Sequence, residues 1–173
     1  MFLKIIGGIM VIFSCSMIGF LMAGTYKQRP NVLRNLGSAL SMLETEINYG
    51  HSPLPEAFEN ISKKCEKQVS ALFSKAAESM KSKNGITADE AWENSLDKFL
   101  SSSYLINSDI EILMSFGRYL GSTDRADQIK NIKLTLTNLK QQEKIALDER
   151  QKNEKLWKYL GVLSGIMVFL LLF

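Results

Sequence analysis

Residues 5–24 are IIGGIMVIFSCSMIGFLMAG, a run of twenty residues without a charged side chain. A helix rises about 1.5 Å per residue, so a run of this length is sufficient to cross a hydrocarbon core of about 30 Å. Residues 159–173, YLGVLSGIMVFLLLF, form a second apolar run at the other end of the chain. The sequence therefore predicts an N-terminal transmembrane anchor over residues 1–26 and a C-terminal one over residues 156–173.

The first apolar run has two other interpretations, a cleaved signal peptide and a buried core helix. The apolar region of a signal peptide usually spans about 7–15 residues, and this run of twenty residues is longer and lacks an A-x-A cleavage site after it. A core helix of a soluble protein is rarely apolar on every face, because one side usually meets solvent. The pattern therefore favours a membrane anchor over both alternatives.

Basic residues flank both apolar runs on the side of the middle of the chain. Lys and Arg close to a span remain in the cytoplasm in most membrane proteins. Both flanks therefore predict that the segment between the anchors faces the cytoplasm. The basic residues are Lys27, Arg29, Arg34, Arg150, Lys152, Lys155 and Lys158.

The middle of the chain, residues 27–155, has the pattern of an all-α domain. It shows almost no alternation of β-branched and polar residues, and the whole chain has only three prolines. Apolar residues recur at spacings of three and four, as in helices that bury one face. We predict an antiparallel helical bundle of about six helices, flanked by the two transmembrane helices.

The first and last helices of this bundle carry the clearest apolar stripes. The first is predicted to begin at Pro30 and to end at Gly50, and the last to begin near Thr123 or Asp124. Because no Gly or Pro interrupts the last helix before the second apolar run, it should continue into that run. The two stripes predict that these helices pack together. They comprise Leu33, Leu36, Leu40, Leu43 and Ile47 in one helix and Ile129, Ile132, Leu136 and Leu139 in the other.

Shorter helices are predicted between these two. A proline turn at residues 51–55 should open a short helix, and a third helix should cover residues 66–81. Thr87 with Glu90, and Ser108 with Glu111, have the spacing of capping boxes, in which the first side chain and the fourth each satisfy a backbone N–H at a helix start. The second of these helices is predicted to stop at Gly121.

Little in the sequence indicates catalysis or a bound cofactor. The chain has one histidine, His51, and no cluster of His, Cys, Asp or Glu at metal-ligand spacing. A net charge of +3 gives no indication of nucleic acid, and two cysteines do not define a disulfide framework. We expect no cofactor, no metal and no enzymatic activity, although a membrane-bound enzyme with its site at His51 is an alternative.

The region from Arg29 onward resembles a known protein family. Its strings are RP at residues 29–30, LRNL at 33–36, ALSMLETEINYG at 39–50 and SPLPEA at 52–57. The resemblance continues through LGSTD at residues 120–124, Gln128 and LGVLSG at residues 160–165. On these residues the chain resembles the stage III sporulation protein AB family along nearly its whole length.

The resemblance implies a function that composition and spacing do not. Members of this family are inner-membrane components of the mother-cell-to-forespore channel in endospore-forming bacteria, and they are similar to the platform proteins of type II secretion and type IV pili. The expected role is a non-enzymatic platform in the mother-cell membrane. The implied partners are other sporulation channel proteins, including a cytoplasmic secretion-type ATPase, with the membrane and a possible homo-oligomer, but not nucleic acid.

Two sets of residues are candidates for contacts. One surrounds the end of the first bundle helix and the following turn, where partner binding and a purely structural role remain alternatives; its members are Arg34, Glu44, Glu46, Tyr49, Gly50, Pro53, Pro55 and Glu56. The other is a set of small residues in the apolar runs, which allow helices to approach closely in lipid; its members are Gly19, Ala23, Gly161 and Gly165. Self-association through this second set would give a membrane scaffold that needs no ATPase, the main alternative function.

Overall fold

A computed structural model of the chain describes residues 2–49, 52–82, 85–121 and 124–172, without the side chains of residues 2–6, 8, 9, 11, 12, 23, 25, 171 and 172. These residues form helices and connecting turns, and no strand occurs in the described ranges. The all-α prediction is therefore confirmed. The helices are α1 (Phe2–Thr25), α2 (Gln28–Tyr49), α3 (Leu54–Ser62), α4 (Lys67–Lys81), α5 (Ala88–Leu100), α6 (Asn107–Gly117) and α7 (Arg125–Leu172).

The chain divides into two compact units. Unit 1 comprises Met1–Pro30 with Lys144–Phe173, and unit 2 comprises Asn31–Glu143. Unit 1 contains α1 and the C-terminal part of α7. In the part of the chain that the structure describes, no helix is long and apolar enough to cross a membrane.

The core of unit 2 is built around four aromatic rings from four successive helices. Trp92 of α5 lies at its centre, with ring centroids 5.9 Å from Phe58, 5.5 Å from Phe73 and 5.1 Å from Phe116. All four side chains are buried, and the rings meet edge to face or tilted, as aromatic quadrupoles prefer. This cluster joins α3, α4, α5 and α6.

The position of the Trp92 indole is also fixed by a hydrogen bond and by its close contact with a glycine. Its indole N–H donates a hydrogen bond of 2.9 Å to the backbone oxygen of Leu113, so its buried polar atom is satisfied. A Cβ added at Gly117 would lie 2.4 Å from Trp92 Cδ1. Glycine is therefore required at this position of α6 if the indole is to keep its place.

Helices α2 and α7 pack against each other in unit 2, as the two stripes predict. Leu33, Leu36, Leu40 and Leu43 of α2 are buried, and so are Ile132 and Leu139 of α7. Ion pairs join α2 to α7, and Arg125 of α7 donates a hydrogen bond to the backbone oxygen of Asn48. Residues late in α2 contact residues early in α7, so the pair is antiparallel. The prediction that the last helix continues unbroken into the second apolar run is also confirmed.

The predicted helix ends are right in some places and wrong in others. The Thr87 backbone N–H donates to Glu90 Oε2 at 3.2 Å, which confirms the first capping box. The second predicted capping box is wrong, because α6 begins at Asn107. Ile106 is the residue just before the helix, and its backbone N–H donates a hydrogen bond of 3.1 Å to Asp109, not to Glu111. Asp109 is fully buried, so burial of this carboxylate fixes the start of the helix.

Helix α6 also ends earlier than predicted, at Gly117 and not at Gly121. The following turn reaches Gly121, whose φ of +75° suits glycine because it has no Cβ to clash with the backbone. Gly85 has a φ of +68°, as expected for the glycine of an Asn-Gly turn. The predicted helix end at Gly50 and the predicted turn residue His51 lie outside the described residues.

Candidate partner-binding surface

Most of the predicted surface lies at the end of α2 and the start of α3, whereas Arg34 lies in the first half of α2. Pro53 precedes the first turn of α3, and its backbone oxygen accepts hydrogen bonds from the N–H groups of Glu56, at 3.0 Å, and Ala57, at 3.1 Å. Pro55 is the second residue of the helix, where a missing N–H costs nothing because helix starts leave these donors unpaired. The two prolines therefore fix the direction in which α3 leaves the turn.

Two residues of the predicted surface are engaged within the chain. Arg34 Nε lies 2.7 Å from Glu143 Oε1, and Glu44 Oε1 lies 3.7 Å from Lys133 Nζ. Both pairs join α2 to α7. Partly exposed pairs such as these contribute about 0–1 kcal/mol each, so they add orientation and register more than stability.

The other predicted residues form the more accessible part of the surface. The side chain of Tyr49 is 80% exposed, and Pro53 and Glu56 are also exposed. Glu46 is half-buried and has no ion pair within the described ranges. An exposed aromatic ring next to carboxylates suits protein recognition, because Tyr is enriched among the residues that dominate interface energies.

The small residues in the apolar runs lie in unit 1, where α1 meets the C-terminal part of α7. A Cβ added at Gly19 would lie 2.7 Å from the backbone oxygen of Trp157 and 3.0 Å from the Cα of Gly161. A Cβ at Gly161 would lie 3.1 Å from the Cys15 backbone oxygen. The two helix backbones are therefore in direct contact at these glycines. Gly165 is buried, and the side chain of Ala23 is among those not described.

Further contacts in unit 1 give two of the flanking basic residues partners that the sequence patterns did not indicate. The buried Arg29 donates to Glu149 Oε2 at 2.8 Å, which offsets part of the cost of burying the guanidinium group. Lys158 lies 5.7 Å from the centroid of the Phe20 ring, within cation–π distance. Each of these contacts joins residues more than 100 positions apart, so no local signal in the sequence indicates them.

No group of His, Cys, Asp and Glu that could hold a metal ion occurs among the residues for which the structure gives positions. The exposed residues of the surface are instead Tyr49, Pro53 and Glu56. Such a set is suited to binding another protein.

The chain has clear relatives among known proteins. A family model described as stage III sporulation protein AB matches residues 4–173. The chain is 42% identical over 170 residues to stage III sporulation protein AB of Bacillus subtilis (strain 168), covering 98% of this chain and 99% of the relative. It is also similar to a solved structure of stage III sporulation protein AB, with a TM-score of 0.67 and 41% identity over 72% of this chain and 97% of the solved one. The chain belongs to the stage III sporulation protein AB family.

Proposed function

We propose that this protein is a non-enzymatic inner-membrane platform of the mother-cell-to-forespore channel. In this role it is anchored in the mother-cell membrane, its residues 27–155 face the cytoplasm, and it couples a cytoplasmic secretion-type ATPase to membrane channel parts. The observation that carries the proposal is a family match that includes both apolar ends as well as the helical unit between them.

The membrane part of the proposal rests on the sequence and on the packing within unit 1. Residues 5–24 carry no charge, and basic residues flank both apolar runs. The close contact at Gly19 and Gly161 is typical of helices that associate in lipid, where small residues permit backbone approach. Lys158 next to the Phe20 ring fits a lysine that extends its charge to the membrane interface.

The coupling part of the proposal assigns ATPase binding to the surface at the end of α2 and the start of α3. Tyr49, Pro53 and Glu56 are its exposed members, and Tyr49 supplies the aromatic contact. Arg34 and Glu44 act mainly by holding α2 against α7, because both are paired within unit 2. Gly50 belongs to the same proposed surface by its place in the sequence.

Co-purification of the ATPase from sporulating cells tests this assignment. A Tyr49→Ser, Glu56→Lys variant of the full chain should lose the ATPase and reduce spore counts. A Tyr104→Ser, Glu111→Lys variant is the matched control, since it changes another exposed tyrosine and an exposed glutamate elsewhere in unit 2. Equal recovery of the ATPase with both variants would contradict the assignment.

The alternative function is a membrane scaffold that assembles through the glycines and needs no ATPase. It has less support, because Gly19 and Gly161 already contact each other within one chain. The platform function uses the same contact to hold the two apolar helices together.

A further inference from the structure

Helices α4 and α5 border a groove of about 450 Å³ in unit 2. Its walls include the apolar side chains of Leu72 and Phe99, both of which also reach into the core. Ala71, on the exposed side of α4, also lines the groove. Because alanine is small, it leaves space where a larger side chain would close the gap between the two helices.

The shape of the groove is fixed at one end by a hydrogen bond. The side-chain amide of Gln68, in the first turn of α4, donates at 3.0 Å to the backbone oxygen of Ser102, just after the end of α5. The start of α4 is thereby held against the end of α5. This groove is therefore preformed by the antiparallel pair and by the aromatic core beneath it.

Three lysines surround the apolar part of the groove. Lys67 and Lys75 lie four residues on either side of Ala71, and Lys98 projects from α5. All three are exposed, and none forms an ion pair with any residue that the structure describes. Lys63 and Lys81, in contrast, both pair with Glu59. Within the described ranges, no carboxylate therefore neutralises the charge of these three lysines by an ion pair.

We propose that this groove binds an amphipathic helix of a partner protein, with apolar side chains entering the groove and acidic side chains meeting the three lysines. Lys67 and Lys75 are eight residues apart, which is about 12 Å along a helix axis and corresponds to about two turns of a bound helix. Charges spread over this distance match carboxylates distributed along a peptide better than one anionic headgroup. Helix-in-groove recognition of this kind uses apolar anchors at spacings of three and four.

The proposal goes beyond the proposed ATPase surface and does not depend on it. None of the groove residues belongs to the surface at the end of α2 and the start of α3. The groove would give unit 2 a second docking site for a different protein segment. A groove variant can therefore lose helix binding while the ATPase is still recovered, and this result would leave the platform proposal intact.

A labelled probe peptide tests the recognition chemistry. We suggest a 14-residue helical peptide with leucines spaced three and four apart and glutamates flanking them, added to the full chain in nanodiscs of zwitterionic lipid, with binding followed by fluorescence anisotropy. We expect saturable binding that weakens about tenfold or more when glutamine replaces glutamate in the peptide, since the three charge contacts are lost. A glutamine peptide that binds equally well would overturn the proposal.

Two pairs of variants separate binding in the groove from a general attraction to positive charge. Lys67→Glu, Lys75→Glu, Lys98→Glu should abolish binding, whereas Lys130→Glu, Lys140→Glu, Lys144→Glu, with the same change in net charge at exposed sites on α7, should not. Ala71→Trp should also abolish binding by filling the groove, and Ser74→Trp on the same helix should retain it. Circular dichroism verifies that each variant is folded. Binding that survives Ala71→Trp, or that falls equally in both lysine variants, would overturn the proposal.

Photocrosslinking in sporulating cells identifies the natural occupant. A benzoylphenylalanine at position 102, at the end of the groove, leaves Ala71 unchanged. It should crosslink to a segment of another protein whose sequence has acidic residues beside an apolar face, and the same group at position 74 should not give this product. A crosslink to a second copy of this chain, or no crosslink specific to position 102, would contradict a partner helix as the occupant.

Discussion

Arg34 of α2 and Glu143 of α7 form an ion pair, with 2.7 Å between Nε and Oε1. A second pair, Glu44 with Lys133, lies ten residues further along α2 and ten residues earlier along α7. The two pairs have opposite polarity, since the cation is on α2 in one and on α7 in the other. A shift of one helix by a turn would break both pairs, so together they favour a single antiparallel register.

The Arg34–Glu143 pair predicts the result of a charge exchange. Arg34→Glu should lower the free energy of unfolding by about 0.5–1 kcal/mol, because two carboxylates would then face each other. Adding Glu143→Arg should restore most of the loss. Urea unfolding of the single variants and the double variant measures the coupling. If the double variant is no more stable than Arg34→Glu, the pair does not fix the α2–α7 contact, and a partner-binding role for Arg34 would regain support.

A side chain at position 117 should disturb the aromatic core, because Gly117 lies against Trp92. Gly117→Ala should destabilise the chain by about 1–3 kcal/mol, because the new Cβ would lie 2.4 Å from Trp92 Cδ1 and would force the indole to move. The fluorescence of Trp92 should change as well. Gly37→Ala is the control, because a Cβ at Gly37 meets nothing within 4 Å and alanine favours the helix by up to about 1 kcal/mol. A Gly117→Ala variant as stable as the parent would contradict the observed packing.

The ion pairs of Glu59 should make part of the thermal stability of the chain sensitive to acid. Hydrogen bonds from Lys81 and Lys63, and the charges of both lysines, lower the pKa of its carboxyl from 4.5 to about 2. A lowered pKa in the folded state means that the stabilisation is present above about pH 4.5 and is lost as the pH falls toward 2. Glu59→Gln should therefore lower Tm near pH 7 slightly and make Tm less dependent on pH between 5 and 2. An unchanged slope of Tm against pH in this range would show that the two lysines do not act on Glu59.

The glycine contact in unit 1 distinguishes the platform from the scaffold alternative. Gly161→Leu should lower the thermal stability of the full chain in detergent, since a side chain here meets the Cys15 backbone oxygen and the Cα of Gly19, each at 3.1 Å from a Cβ. The oligomeric state, measured by light scattering, should not change, because the contact lies within one chain. Loss of an oligomer with unchanged melting would instead support the scaffold.

The parts of the fold that depend on local spacing could be predicted from the sequence. The predicted stripes run from Leu33 to Ile47 and from Ile129 to Leu139 at spacings of three and four, so the pattern indicated both helices and most of their buried faces. Three of the stripe residues, Ile47, Ile129 and Leu136, are only half-buried. The Thr87–Glu90 capping box is equally local. The predicted start of α6 was wrong because Ser108 and Glu111 also have the spacing of a capping box. The choice between Glu111 and Asp109 as the capping carboxylate depends on the burial of Asp109 in the folded chain.

The candidate sites depended more on contacts between distant residues. Arg34 and Glu44 stood out as surface charges, but their pairing with Glu143 and Lys133 requires that α2 and α7 lie antiparallel in one register. The groove was not predicted. Lysines at four-residue intervals around Ala71 are visible in the sequence, yet their meaning depends on Lys98 and Phe99 of α5 lying opposite.

Membrane topology is the measurement that tests the central claim most directly. A single reactive cysteine can be placed on an exposed position of α6 with Glu111→Cys, in a chain in which Cys15→Ser and Cys65→Ser remove the natural thiols. Intact sporulating cells are then treated with a membrane-impermeant maleimide, with lysed cells as the positive control. The platform account predicts that the chain stays in carbonate-washed membranes and is labelled only after lysis. Labelling in intact cells, or release of the chain by the carbonate wash, would contradict it.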